Sequence, residues 1–250
     1  MNPTQTPTSA WTRLGAGISW HGLLADRSSF QRAFVELLIA SPQRAGRVLD
    51  IGCGGDLPMP LRRLAGRFGV LDGVDPDPSV LDHPLLERRW HGLFEQAGIP
   101  EAEYDLAYAY NVLEHIANPQ PFFARIASVL RPGGVFWGLT PNARHPFAVL
   151  SRLIEVSGLK GFVRRQIGAD ESGAMRVNDY PAYYRCNAPA AIRRAIRGLG
   201  FRNFSFYYHP CAQWDTYFPR LLKWAPRFYD FCLGSRWAPG MQILIMKLEK

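Results

Sequence analysis

From residue 47 to residue 139 the chain repeats one unit: a short apolar run, a turn rich in glycine or proline, then apolar residues at helical spacing. Arg47-Val-Leu-Asp-Ile51, Val70-Leu-Asp-Gly-Val74, Arg89-Trp-His91, Tyr104-Asp-Leu-Ala-Tyr-Ala-Tyr110 and Val135-Phe-Trp-Gly-Leu139 read as five strands. Leu57, Leu61, Leu64 and Phe68 predict a helix after the first strand, and a second helix is expected near 78–89. A third should run from Pro119 to Leu130, with Phe122, Phe123, Ile126, Val129 and Leu130 inward and Arg131-Pro-Gly-Gly134 as its stop. Before the series, Ser28 and Ser29 are candidate caps for a helix carrying Phe30, Phe34, Leu37 and Leu38. Strands alternating with helices at this spacing pair through right-handed βαβ crossovers, which dictates a largely parallel sheet.

After residue 142 the rhythm breaks. A basic segment, 143–185, precedes a helix opened by Asn187, running through Ala190–Ile196 and closed by Gly198 and Gly200. Phe201–Tyr208 and Met241–Leu248 then supply two more strands around an aromatic stretch, 210–240. The expected fold is therefore α/β: a seven-stranded, mostly parallel sheet with helices on both faces and an antiparallel last strand. Residues 1–24 read as a disordered or arm-like start, and 25–250 as a single domain with lid-like insertions at 143–185 and 210–240.

Composition narrows the class. No stretch approaches the ~18 uninterrupted apolar residues of a membrane span. The opening MNPTQTPTSA has no basic start and no apolar run, so it does not read as a secretory signal. The four cysteines (Cys53, Cys186, Cys211, Cys232) show no CxxC pair and no histidine at ligand spacing. A disulfide framework or a metal site is not expected, and a reducing cytoplasm is the default location. Charge is uneven. Residues 1–142 hold 12 Lys/Arg against 14 Asp/Glu, whereas 143–250 hold 17 against 7. The first part reads as a neutral chemical core, the second as a surface biased toward anions.

In open α/β sheets, ligands bind beyond the carboxyl ends of the strands. The first strand here ends in Asp50-Ile-Gly-Cys-Gly-Gly-Asp56, where Gly52 and Gly54 let the backbone turn tightly and approach a ligand. Asp75 ends the second strand, where a carboxylate can accept hydrogen bonds from ribose hydroxyls. These features point to an adenosine-containing cofactor. A dinucleotide fingerprint would need a third glycine where this chain has Leu57. Asp56 stands where the next helix would begin, and its carboxylate would cap that end and repel a pyrophosphate. Pro58 and Pro60 remove further donors. There is no Gly-Lys-Ser/Thr phosphate loop. A cofactor without phosphate that carries a sulfonium cation, S-adenosylmethionine, suits an acidic loop better.

Four ordered motifs carry a resemblance. Val48-Leu-Asp-Ile-Gly-Cys-Gly54, Gly73-Val-Asp-Pro76, Tyr104-Asp-Leu106 with Asn111-Val-Leu-Glu-His115, and Leu130-Arg-Pro-Gly-Gly134 resemble the landmarks of class I, Rossmann-like S-adenosylmethionine-dependent methyltransferases. The likeness is greatest to the small-molecule branch that includes the ubiquinone-biosynthesis O-methyltransferases. It covers about 45–142, with weaker likeness over 183–209 and the last strand. The resemblance implies cofactor binding by Asp50, Gly52, Cys53, Gly54, Asp75, Pro76 and Asn111: the loop residues along the methionine portion, Asp75 on the ribose, Pro76 at the adenine edge. Two departures stand out. Asp56 replaces the usual third glycine, and the acidic residue after strand three has no clear counterpart beside Leu93-Phe94, with Glu95 or backbone groups as substitutes.

Methyl transfer from a sulfonium needs alignment, exclusion of water and somewhere for a proton. For a hydroxyl acceptor His115 is the candidate base, the alternative being that Glu114 and His115 only tie the loop to the next helix. The expected reaction is methyl transfer to an oxygen of a small or lipid-linked acceptor, and the basic second half is compatible with an anionic one. The motifs leave open transfer to nitrogen or carbon, and an inactive cofactor-binding scaffold. The stripes of the second half (Phe147, Leu150, Leu153, Ile154; Trp214, Phe218, Leu221, Leu222, Ala225, Tyr229, Cys232) have three readings. They bury against the sheet and roof the acceptor pocket, they dock peripherally on anionic lipid at the inner membrane face, or their flanking arginines bind nucleic acid.

Overall fold

The computed structural model describes residues 30–41, 46–57, 61–64, 66–158, 180–209, 223–229, 232 and 241–250. Residues 1–24, Ser28, Ser29, Pro58, Pro60, Cys211, the 159–179 part of the first insertion and most of the second lie outside the described residues.

Seven strands form one sheet: β1 (Arg47–Ile51), β2 (Val70–Asp75), β3 (Arg89–His91), β4 (Tyr104–Tyr110), β5 (Leu130–Pro141), β6 (Asn203–His209) and β7 (Ile243–Glu249). Their order is β3-β2-β1-β4-β5-β7-β6. The first five are parallel, and β7 runs antiparallel to both β5 and β6. The chain leaves β1 toward β2 and β3, then returns to lay β4 on β1's other side. This reversal opens the crevice at the carboxyl ends of β1 and β4 in which such sheets bind ligands.

Five α-helices are described: α1 (Phe30–Ile39), α2 (Pro119–Val129), α3 (Pro146–Val156), α4 (Pro189–Ala195) and α5 (Trp224–Tyr229). On one sheet face Phe122, Phe123 and Ile126 of α2 and Ile192 of α4 pack on Leu49, Ile51, Ala107, Ala109 and Phe136. On the other, Phe34, Val35 and Leu38 of α1 pack on Val48, Leu106, Tyr108, Val135 and Trp137. The period of two in β1 and β4 thus feeds both layers. Each such buried side chain contributes roughly 1.5–3 kcal/mol relative to exposure.

The structure corrects several expectations. After β1 the described residues show only a 3₁₀ turn, Leu61–Leu64, with Leu57, Leu61 and Leu64 buried. The helix expected near 78–89 is a 3₁₀ turn over Pro78–Asp82, opened by Asp77, whose side chain accepts from the Ser79 amide. Beyond it the chain is pulled onto β2 instead, with the Glu87 amide donating to Leu71 and the Gly73 amide to Arg88. Leu130 belongs to β5, and Arg131-Pro-Gly-Gly134 is a bulge within that strand. Tyr104 pairs with Leu130, and the register then jumps to Leu106 with Val135. Gly134 is required there, because a Cβ would come within 3.0 Å of the Tyr104 carbonyl oxygen. Asn187 does not cap α4: the cap position is Ala188, and the Asn187 side chain is spent elsewhere. The α3 stripe is only partly covered, since Ala148 is buried while Leu150 and Leu153 are exposed.

Asp72, in the middle of β2, is wholly buried. It accepts from Arg47 at 2.7 Å, from the Tyr104 hydroxyl at 2.9 Å and from the Arg88 amide at 3.0 Å. The carboxylate therefore joins β1, β2 and β4 at the end of the sheet away from the site.

Candidate active site

The loop after β1 turns on two left-handed glycines, Gly52 at φ 80° and Gly54 at φ 60°. Gly52 has a second constraint: a Cβ there would stand 2.2 Å from Val112 Cγ2, in the loop after β4. A Cβ at Gly54 would meet nothing within 4 Å, so its outer face is open. The loop is fixed from β2, because the Gly54 amide donates to Asp75 Oδ2 at 2.8 Å and the Asp77 amide donates to Oδ1 at 2.7 Å. Burial raises the Asp75 pKa, and these two amides oppose the shift. Each oxygen keeps a lone pair, as a ribose diol requires.

The other expected cofactor residues gather here in different ways. Asp50 is buried behind the loop and accepts from the Tyr108 hydroxyl at 2.6 Å. Burial pushes its pKa up to about 7, with the neighbouring Asp75 adding to the shift and the Tyr108 hydrogen bond opposing it. Cys53 packs inward: the space where a Gly73 Cβ would lie is 2.7 Å from its sulfur. Burial raises the thiol, so Cys53 offers its backbone to the site and no nucleophile. Pro76 is held by its carbonyl, which accepts from His91 Nε2 at 3.1 Å. Asp56 accepts from the Leu57 amide and pairs with Arg62, which holds its pKa low. Glu95 is half-buried beyond β3, beside an exposed Leu93.

Just after β4, Asn111 adopts φ 54° and donates its amide to the Leu139 carbonyl at 2.9 Å. A non-glycine residue in this conformation costs on the order of 1 kcal/mol and is a common mark of functional turns. The 3₁₀ turn Leu113–His115 follows. Sequence reasoning missed what lies on it. Residues 180–187 form a strap: the Tyr183 and Tyr184 amides donate to the Glu114 carbonyl at 2.7 and 3.1 Å, and Arg185 to the Ala117 carbonyl at 2.7 Å. Tyr184 itself sits at φ 52°. The strap's Pro181 carbonyl lies 3.0 Å from His115 Nδ1, and Tyr180 stands edge-on to the imidazole at 6.2 Å. Burial raises the Tyr180 phenol pKa, and the charges of Asp75 and Asp77 add to the rise. Only the weak likeness around Tyr183-Tyr-Arg185 hinted at the strap.

Behind the turn is a buried polar chain. The Thr140 hydroxyl donates to Glu114 Oε2 at 2.9 Å, Asn187 Nδ2 donates to Thr140, and Asn187 Oδ1 is buried with no partner. Burial raises the Glu114 pKa, opposed by the charge of His115.

The donor set fits S-adenosylmethionine. Asp50, Asp75 and Asp77 lie about the loop, and Arg62, near its end, is paired with Asp56. Such a site suits a sulfonium and a ribose diol and disfavours a pyrophosphate. A sheet of this order with this glycine turn at its switch point defines the S-adenosylmethionine-dependent methyltransferase class.

Comparison with known proteins narrows this further. Residues 23–203 match the family model described as "Methyltransferase domain", and the chain belongs to that family. Over 161 residues it is 29% identical to a ubiquinone biosynthesis O-methyltransferase of Maricaulis maris (strain MCS10), a match covering 62% of this chain and 58% of that protein. A Burkholderia pseudomallei (strain 1710b) protein of the same name is 27% identical over 177 residues, 67% of this chain and 70% of that one. The chain thus spans little more than half the length of the Maricaulis relative. Among solved structures, a SAM-dependent methyltransferase from Archaeoglobus fulgidus superposes with TM-score 0.51 at 15% identity, covering 93% of this chain and 100% of that one. Phosphoethanolamine N-methyltransferase 2 of Haemonchus contortus gives 0.55 at 16%, covering 93% and 53%.

Proposed function

We propose that this chain transfers the methyl group of S-adenosylmethionine to an oxygen of a small or lipid-linked acceptor, with His115 as the base. The observation that carries the reading is the contact between His115 Nδ1 and the Pro181 carbonyl. A carbonyl only accepts, so Nδ1 holds the proton and Nε2 keeps its lone pair. The cofactor, when bound along Gly52, Cys53, Gly54, Asp75, Pro76 and Asn111, supplies an electrophilic methyl carbon. That carbon would pass to the acceptor oxygen, with the carbon–sulfur bonding pair left on sulfur. The hydroxyl proton passes to Nε2. Products are the methyl ether or ester and S-adenosylhomocysteine. The Glu114–Thr140–Asn187 chain and the strap hold the turn bearing His115 and exclude water. The names of the Maricaulis and Burkholderia relatives support oxygen as the acceptor atom.

We place the protein in the cytoplasm, touching the inner membrane face peripherally. Val149, Leu150, Leu153 and Val156 of α3 and Trp224 and Phe228 of α5 are exposed, and the ring contact of His145 with Tyr229 at 5.2 Å brings the two helices together. Among the described residues no helix is long and apolar enough to cross a membrane. The insertions 143–185 and 210–240 would then roof the acceptor side of one domain.

The test is turnover with methyl-labelled S-adenosylmethionine and small-molecule fractions of a cell extract. Label should enter an ether or ester product, more slowly with His115→Ala. Label in a nitrogen- or carbon-methyl product would remove the oxygen reading, and no labelled product would remove the catalytic one.

A further inference from the structure

Two consecutive residues of the strap hold the His115 ring. The Pro181 carbonyl accepts from Nδ1 at 3.0 Å, and the Tyr180 ring meets the imidazole edge-on, with centroids 6.2 Å apart and planes at 64°. Among the described residues the imidazole has no other hydrogen bond or ring contact. Its neighbour Glu114 is turned inward onto Thr140, so support for the ring comes from the strap and not from the turn that carries it.

The strap reaches this position without Tyr180. The Tyr183 and Tyr184 amides donate to the Glu114 carbonyl, Arg185 donates to the Ala117 carbonyl, and the Cys186 thiol donates to the Leu113 carbonyl at 3.2 Å. These bonds grip the backbone on both sides of His115 and use residues 183–186 alone. Tyr180 stands before a proline, which restricts its backbone to extended conformations. Its side chain is 36% exposed, and its one ring contact among the described residues is with His115. Removing the Tyr180 ring therefore leaves the anchors of the strap in place.

Magnitudes show that both contacts are needed. A single exposed hydrogen bond biases a choice between two orientations by roughly 2- to 13-fold. An edge-on ring contact contributes about the same factor. Either alone leaves an appreciable minor form, whereas the two together give a bias on the order of 5- to 150-fold. The form they exclude is a ring that turns a bare nitrogen lone pair, or a carbon, toward the Pro181 carbonyl.

We propose that Tyr180 is a positioning residue for His115: its ring, together with the Pro181 carbonyl, holds the imidazole in one orientation and in the tautomer protonated on Nδ1. The use of that tautomer as a base, with the lone pair on Nε2, rests on the methyl-transfer reading. The hold on the ring does not.

The test compares wild type with Tyr180→Phe and Tyr180→Ala. Long-range proton–nitrogen spectra of histidine-labelled protein report the tautomer directly and need no acceptor. They are recorded at about pH 8.5, roughly two units above the free imidazole value. The His115 signals are those absent from His115→Gln. Wild type and Tyr180→Phe should show one tautomer with the proton on Nδ1, and Tyr180→Ala a mixture of the two. The S-adenosylhomocysteine affinity should be the same in all three proteins. A single Nδ1-protonated tautomer retained in Tyr180→Ala overturns the proposal, and so does a mixture in Tyr180→Phe. A fall in S-adenosylhomocysteine affinity in Tyr180→Ala would also overturn a role confined to His115. In turnover, kcat should fall at least about tenfold in Tyr180→Ala and return in Tyr180→Phe. Mixed tautomers with wild-type turnover would keep the hold on the ring and remove His115 as the base.

Discussion

The Nδ1 atom of His115 lies 3.0 Å from the carbonyl oxygen of Pro181, two residues separated by 66 positions in the chain. This contact links the turn after β4 to the strap 180–187, and because a carbonyl only accepts, Nδ1 carries a proton.

If His115 takes the acceptor proton, His115→Ala should reduce kcat by about 10²–10⁴ while leaving S-adenosylmethionine affinity unchanged. The check is steady-state kinetics with a known acceptor beside a binding titration. Near-normal kcat would return His115 to a purely structural role on the strap.

Asp75 holds the loop through the Gly54 and Asp77 amides, and we propose that its remaining lone pairs take the ribose. Asp75→Ala should weaken cofactor binding by roughly 1–3 kcal/mol, or about 5- to 150-fold, read by calorimetry. Unchanged affinity would show the ribose to be elsewhere.

Gly52 needs both its left-handed turn and the room taken by Val112. Gly52→Ala should therefore reduce cofactor affinity at least tenfold, about 1.4 kcal/mol. Adding Val112→Ala should restore part of that loss by removing the clash, though not the strain at φ 80°. No difference between the single and double variants would refute the steric account.

Asp50 gives a pH dependence. Its pKa is about 7 in the folded protein, with burial the first cause, against about 4 for a free carboxyl. The folded state thus holds this proton more tightly than the unfolded chain. The contribution is fully favourable below about pH 4 and is lost as pH rises from 4 to 7, at most roughly 4 kcal/mol in all. Asp50→Asn keeps an acceptor for Tyr108 and cannot ionise. Its melting temperature should exceed that of wild type at pH 8, with the gap closing by pH 4. A constant gap across that range would contradict the linkage.

The strands and the cofactor loop were legible because their signals are local. Apolar runs around Val48, Leu71, Leu106 and Phe136, and the glycines after Ile51, carry their own geometry. The helices after β1 and β2 were misread for a related reason. Leu57, Leu61 and Leu64 are buried as expected, yet burial fixes which side chains face the core and not how the backbone closes its hydrogen bonds. After Asp82, bonding of Glu87 to Leu71 gave the backbone a partner on β2 that periodicity does not report. The bulge in β5 depends on the pairing of Tyr104 with Leu130, known only once the two strands meet. The strap and the Glu114–Thr140–Asn187 chain were invisible for the same cause. Asn187 has the residue type of a helix cap, and its true partner lies 47 positions away.

We propose that the loop from Asp50 to Gly54, with Asp75, holds S-adenosylmethionine. Calorimetric titration of the purified protein with S-adenosylmethionine and S-adenosylhomocysteine, with NAD as control, tests it most directly. Micromolar binding of the first two and none of NAD is expected. Binding of NAD, or of none of the three, would contradict it.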